Sequence, residues 1–447
     1  MRAPAPANAS TPFLAAQNAI STAPKAASQP RAQPTIEWKQ YVGHCARRNA
    51  PTIVGIDLFI ATAGDVWNEP DEHDGICRLN AEIGGLLDWW RPTPADANRV
   101  VCMRGVAVTG CDDGTVLAVR AGDGGSAWSL KLESGVVGGP VKLPGAPSRR
   151  DEVPIALVEY IGKLHLINIL DGALLQTLDL GRNVLAEFVV ATGDLPGIVG
   201  GSQLTRCEAL IHIVCADGGT YVVPYGQTSN PARMSDPLAI AELRDSVGTD
   251  VKFTTSPVLA GSTIIVPYAR DTTYSTPPLT ALRIADGSTL WDAADPQKIV
   301  KGFGNIRAAP IPIGDELVFA TAYTDALMAV SAKTGAVTWA VDLGAQMFEQ
   351  WSGAASDGAS IYIGRHDGYL HKIDYASRRR EWSLYLGQHE AAGALVDGEQ
   401  PPPRSLEQGS WRVPGASPIL ATPVLGRGRL YVGTGEGWLY CIGNLGV

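Results

Sequence analysis

Five-residue runs of mostly apolar residues recur along the chain, and each ends on a polar or turn residue. They read ICRLN (76–80), VLAVR (116–120), LHLIN (164–168), TYVVP (220–224), LTALR (279–283), LMAVS (327–331), LHKID (370–374) and LYCIG (439–443). Such short runs, rich in Val, Ile, Leu and Tyr and without a 3.6-residue period, predict strands. Several follow another apolar run and a tight turn, as in VAVTGCDDG (106–114), IHIVCADG (211–218), IYIGRHDG (361–368) and LYVGTGEG (430–437). Upstream lie pairs that end in Pro and mark the start of a further strand: Ala50-Pro51, Gly139-Pro140, Ser256-Pro257, Ala309-Pro310 and Thr422-Pro423.

Downstream of the apolar runs, a Gly precedes a Trp by four residues: Gly85/Trp89, Gly124/Trp128, Gly287/Trp291 and Gly335/Trp339. Gly172 and Gln176 keep this register without the Trp, and Trp382 follows Arg378 where the Gly would stand. A Gly turn leading into an alternating segment is the pattern of a hairpin into an outer strand. The unit is therefore four antiparallel strands, and eight units are expected.

This unit, a small residue plus Pro, a strand into an Asp-Gly turn, a third strand, and a Gly-x-x-x-Trp strand, resembles the repeat of pyrroloquinoline-quinone-type β-propellers. The resemblance runs over about residues 36–445. Units one, two and five to eight carry it well, and three and four are degenerate. It implies an all-β, eight-bladed propeller of four-stranded blades. The eighth unit ends at LYCIGNLGV without its Trp strand, and TIEWKQYVG (35–43) supplies that pattern through Trp38. A propeller must close or leave unpaired edges, so residues 36–43 are expected to complete the last blade. The Trp positions are expected to fill the gaps between neighbouring sheets.

Composition agrees. Gly and Pro make 81 of the 447 residues, about 18% against a usual ~12%. Charged residues are 18%, too few for a coiled coil, while the apolar content is too high for general disorder. No apolar run reaches the ~18 residues of a membrane-spanning helix. The net charge of −9 predicts no general attraction to nucleic acid or anionic membranes. The triplet Arg378-Arg379-Arg380 reads as a solvated corner. Residues 1–34, rich in Ala, Pro, Ser and Gln, read as a disordered tail before a single propeller domain over 35–447. They hold no signal-type apolar stretch and no Cys, so the expected location is cytoplasmic, or periplasmic if a signal peptide was removed.

The seven cysteines include no CxxC, no CxxCH and no adjacent pair, and they read as reduced, buried thiols. His165 and His371 share a register that Leu117, Met328 and Tyr440 fill in other units, which marks a packing position. His212 reads the same way.

The most unusual segment is DVWNEPDEHDG (65–75), between the second and third strands of the first unit. Its Asp65, Glu69, Asp71 and Asp74 are candidates for partner or ligand binding. A solvated acidic loop is the simpler reading, with calcium or a basic partner as the alternatives. By the propeller pattern, insertions at 65–74, 225–250, 268–279 and 387–411 should gather on one face. Arg48, Lys252, Arg307, Glu349 and Trp351 could ring the channel mouth there. No catalytic or metal-ligating set is expected. The quinone-dependent dehydrogenases of the resembled family are longer, and they carry a Cys-Cys pair and a calcium-ligand set. These features are missing here, so no cofactor is expected. The leading expectation is a non-catalytic, bacterial scaffold that binds a protein partner through its loop-bearing face, as a subunit of a larger assembly. The alternatives are a quinone- and calcium-dependent enzyme or an envelope assembly factor, since the resembled family includes the propeller subunit of the outer-membrane protein assembly machinery.

Overall fold

The computed structural model describes residues 33–446, apart from 47–48, 66–68, 146–150, 193–197, 200–203, 206, 228–229, 248–250, 270–277, 285–286, 293–305, 321–325, 344–351, 388–393 and 396–417. Nearly all of the proposed 1–34 tail lies outside the described residues. Among the described residues the structure is all-β apart from a short helix, Leu243–Val247. Among the described residues no helix is long and apolar enough to cross a membrane.

Eight antiparallel sheets follow one another along the chain and form an eight-bladed propeller. Their third strands are Asp74–Asn80, Thr115–Arg120, Lys163–Asn168, Gly219–Gln227, Leu279–Arg283, Ala326–Ser331, Tyr369–Asp374 and Trp438–Gly443. All eight coincide with the expected runs. Second strands such as Pro154–Val158, Ala209–Val214 and Ser360–Gly364 are buried at every position. A strand covered on both faces needs no alternation, which accounts for the continuous apolar runs and the low charge. Between blades two and three, for example, Val108, Val116 and Ala118 pack on Ile155, Leu157 and Ile167.

Closure occurs as expected. Thr35–Tyr41 pairs antiparallel with Trp438–Gly443, with Thr35 opposite Gly443 and Tyr41 opposite Trp438. The turn that would join these strands in any other blade is absent. In its place the Asn444 side-chain amide donates to the Gln33 carbonyl at 2.7 Å.

The Trp residues are joints between blades. A Cβ on Gly172 would lie 2.6 Å from the Trp128 ring of the preceding blade, one on Gly335 2.6 Å from Trp291, and one on Gly84 2.7 Å from Trp38. Gly124 meets Trp89 in the same way. Each turn thus needs glycine because an indole occupies the space of its side chain. The indoles are also tethered. Trp128 Nε1 donates to the Ile169 carbonyl at 2.8 Å, Trp291 Nε1 to Ala332 at 3.0 Å and Trp89 Nε1 to Ala121 at 3.4 Å. Each acceptor directly follows the next blade's third strand. At the closing joint that carbonyl, Ala81, receives the Tyr431 hydroxyl at 2.8 Å.

Three sequence readings need correction. In blade one the residue against the preceding indole is Gly84, not Gly85, because that turn holds one more residue before its Trp. Segment 225–250 is not a loop insertion. Asn230–Met234 and Leu238–Glu242 both pair with the third strand and together form the outer strand of blade four. Gln176 does stand in the Trp register of blade three, as read from the sequence; its amide donates to the Met234 carbonyl at 2.8 Å and accepts from the Met234 N–H at 2.9 Å. The arginine triplet is not a solvated corner. Arg378 lies over the Trp339 and Tyr375 rings, 4.7 and 4.0 Å from their centroids, and Arg380 is only 8% exposed.

Candidate functional site: the channel mouth and the acidic loop

Two residues before the eight innermost strands stand Ala50, Arg99, Gly139, Glu187, Ser256, Ala309, Ser352 and Thr422. Six are Ala, Gly, Ser or Thr, as a crowded axis requires. The two exceptions are charged. Arg99 of blade two and Glu187 of blade four approach to 3.4 Å across blade three. The blade between them offers Gly138 and Gly139. A Cβ on Gly139 would lie 2.7 Å from Arg99 Cβ, and one on Gly138 would collide with the Glu187 side chain. The Gly-Gly pair is therefore the saddle over which the ion pair closes. With side-chain exposures of 37% and 22%, the pair contributes at most about 1 kcal/mol.

A cavity of about 480 Å³ lies among these positions. Ala50, Arg99, Glu187, Ser256, Ala309 and Thr422 all line it, together with Arg307 and apolar side chains from blades three to five. Side-chain donors bind the entries of neighbouring blades into a girdle. Asn49 Nδ2 donates to Ala97 O at 2.6 Å, Asn98 Nδ2 to Val136 O at 3.1 Å, Thr255 Oγ1 to Ile306 O at 2.7 Å and Ser352 Oγ to Ala421 O at 2.9 Å. These four bonds tie the entries of blades one to three, five to six and seven to eight.

The acidic loop stands at the rim, beside the closing strand. Asp65 Oδ2 lies 2.8 Å from His73 Nδ1, and Tyr41 of the closing strand donates to Asp65 Oδ1. Asp71 accepts the backbone N–H groups of Asp65 at 2.5 Å and His73 at 2.7 Å. Asp65, Asp71 and His73 bring three ligand atoms within 4.8 Å of one another, a spacing that can hold a cation. All three already hydrogen-bond within the loop, which explains their convergence without an ion. Asp74 is buried and accepts the Asp71 N–H at 3.0 Å, while its Oδ1 has no partner among the described residues. Burial, with Asp96, Asp71 and Asp112 nearby, raises its pKa to about 6 against the single hydrogen bond from Asp71.

The sequence candidates therefore divide. Asp65, Asp71 and Asp74 come together, with Glu69 exposed on the same loop. Arg307 lines the cavity. Lys252 is exposed, and its backbone bridges Ala269. Arg48, Glu349 and Trp351 lie outside the described residues. Arg99 and Glu187 were missed because their blades lack the Pro that marks the entry elsewhere. Counting back from the apolar run would have exposed two charges in a register of small residues.

Of the buried histidines, His165 and His371 are packing positions with polar partners, and His212 is buried without one among the described residues. His165 Nε2 lies 2.7 Å from Glu159 Oε1 and its Nδ1 lies 2.9 Å from Thr177 Oγ1. His371 Nδ1 lies 2.6 Å from Ser383 Oγ. All seven cysteines are free, and burial raises the thiols, Cys45 to about 12 and Cys102 to about 11. Such thiols are poor nucleophiles at neutral pH.

Residues 249–402, about a third of the chain, match the family model described as outer membrane protein assembly factor BamB. No curated protein matches the chain in sequence. Among solved structures, BamB from Moraxella catarrhalis is similar at 12% identity and TM-score 0.56, covering 92% of this chain and 98% of that one. Sqt1 from Saccharomyces cerevisiae is similar at 9% identity and TM-score 0.55, covering 92% and 97%. The computationally designed protein Ika8 is similar at 13% identity and TM-score 0.53, covering 90% and 99%. At these identities the likeness speaks for the fold. The chain is an eight-bladed β-propeller with a PQQ-like repeat, which residues 249–402 carry in the form shared with the BamB model.

Proposed function

We propose that this chain is a non-catalytic propeller scaffold that binds a protein partner through its loop-bearing face, as a subunit of a larger assembly. The observation that carries this reading is the construction of that face. A hydrogen-bonded girdle fixes the blade entries, and a structured acidic loop stands at their rim with Glu69 and Glu72 exposed. Binding residues on loops held by a rigid scaffold are a common arrangement for recognition. The match of residues 249–402 to the family model of an outer membrane protein assembly factor supports the same class. It also favours an envelope location over the cytoplasmic one, and cell fractionation separates the two.

The test is capture from native cell extracts on the immobilised full chain. Glu69→Lys with Glu72→Lys reverses charge on the loop-bearing face, and Ile83→Ser alters the opposite one. A partner retained by the wild type and by Ile83→Ser but lost by the double variant is the expected result. Identical capture by all three, with circular dichroism unchanged, overturns the reading.

A further inference from the structure

The cavity at the channel mouth has a chemistry that partner docking on the rim does not need. Among its described lining residues are two guanidiniums, Arg99 and Arg307, and one carboxylate, Glu187. Arg99 comes from blade two and Arg307 from blade six, diametrically opposed in a ring of eight. The remaining wall is largely apolar, with Leu185, Phe188, Val190 and Pro257. Leu185 is 38% exposed at this edge. Thr254, also in the lining, keeps a hydroxyl without a hydrogen-bond partner among the described residues. Two guanidiniums to one carboxylate among the described lining residues favour an anion, and the apolar wall selects one with a hydrocarbon body.

We propose that this cavity binds an organic carboxylate carried on a small apolar group, either the terminal residue of a peptide or a free acid of similar size. A guanidinium takes a carboxylate through paired hydrogen bonds, and partial enclosure strengthens the attraction relative to bulk water. Glu187 is the built-in competitor, since it holds Arg99 at 3.4 Å. A dianionic phosphate fits less well, because it would meet Glu187 and an apolar wall. The site stands apart from the partner reading, for the rim can capture a protein with this cavity empty.

The test is calorimetric titration of the full chain with hexanoate, with N-acetyl-Val-Phe as free acid and as amide, and with inorganic phosphate. At least one of the two acids should bind, with the amide and phosphate at least about tenfold weaker than that acid. Arg307→Gln should weaken acid binding by about tenfold. Glu187→Gln should tighten it by roughly three- to tenfold by releasing Arg99, a gain that damage to the fold would not produce. A dipeptide acid bound at least ~tenfold more tightly than hexanoate identifies a chain end as the ligand, and a smaller difference identifies a free acid. Absence of acid binding at millimolar concentration overturns the proposal. So do an amide or phosphate as tight as the acid, or a Glu187→Gln variant that binds more weakly.

Discussion

The guanidinium of Arg378 lies 4.7 Å from the centroid of the Trp339 indole, where four other blade turns set a glycine against the preceding blade's Trp. Arg378 holds φ at +58°, a left-handed conformation natural to the glycine it replaces. Its Nη2 also donates to Glu316 Oε2 at 3.2 Å, and that same oxygen accepts from Tyr375 at 2.6 Å and Trp339 at 2.9 Å. Burial opposes ionisation of Glu316, but these hydrogen bonds outweigh it and hold the carboxyl below its usual range.

Arg378→Gly should therefore cost about 1 kcal/mol, the stacking and hydrogen bond lost less the strain relieved. Arg378→Ala should cost ~1 kcal/mol more, since it loses the same contacts and keeps the left-handed backbone. Urea unfolding of the two variants checks the order. An Ala variant more stable than the Gly variant refutes this account of the turn.

Trp38→Ala should destabilise by ~3 kcal/mol or more, because it empties the joint between blades eight and one. Gly84→Ala should also destabilise, since its methyl would lie 2.7 Å from the same ring. Thermal melts of both should fall, while Gly85→Ala, which meets nothing within 4 Å, should lose only through its positive φ. Deletion of residues 1–41 should leave the edge of Trp438–Gly443 unpaired and bring oligomers in size-exclusion chromatography.

Asp74 and His212 should set the pH range of stability from opposite sides. Asp74 has a folded pKa raised to about 6 by burial and neighbouring carboxylates, so the folded state binds the extra proton between about pH 4 and 6. Stability is then lost as pH rises through that window, and Asp74→Asn should raise stability at pH 7 by about 1–2 kcal/mol with little effect at pH 4.

His212 is fully buried, neither ring nitrogen has a partner among the described residues, and burial lowers its pKa to about 4. Here the unfolded state binds the extra proton, so stability is lost as pH falls below about 6.5. His212→Leu should recover about 2 kcal/mol of the loss at pH 5. Unfolding free energies measured from pH 4 to 8 for both variants check the two slopes.

The third strands were legible because both their faces are covered, so local composition alone records them. The outer strand of blade four was not. It has no Trp, and it bends at residues 235–237 between two separately paired segments, so its polar turn residues read as a loop. The arginine triplet misled because stacking on Trp339, a residue of another blade, is a tertiary contact that no local pattern carries. The channel ring was half legible. Pro marked five of its eight positions, and the two that carry charge are among the three without it.

The ladder between Thr35–Tyr41 and Trp438–Gly443 has a mechanical consequence. Thr35 and Gly443 are partners at one end of it, so tension applied through the two chain ends loads the hydrogen-bond pairs one after another rather than all together. Stretched from its ends, this ring should unzip at low force, beginning at the Asn444–Gln33 clasp, while a pull across the blades would meet the combined resistance of the Trp joints.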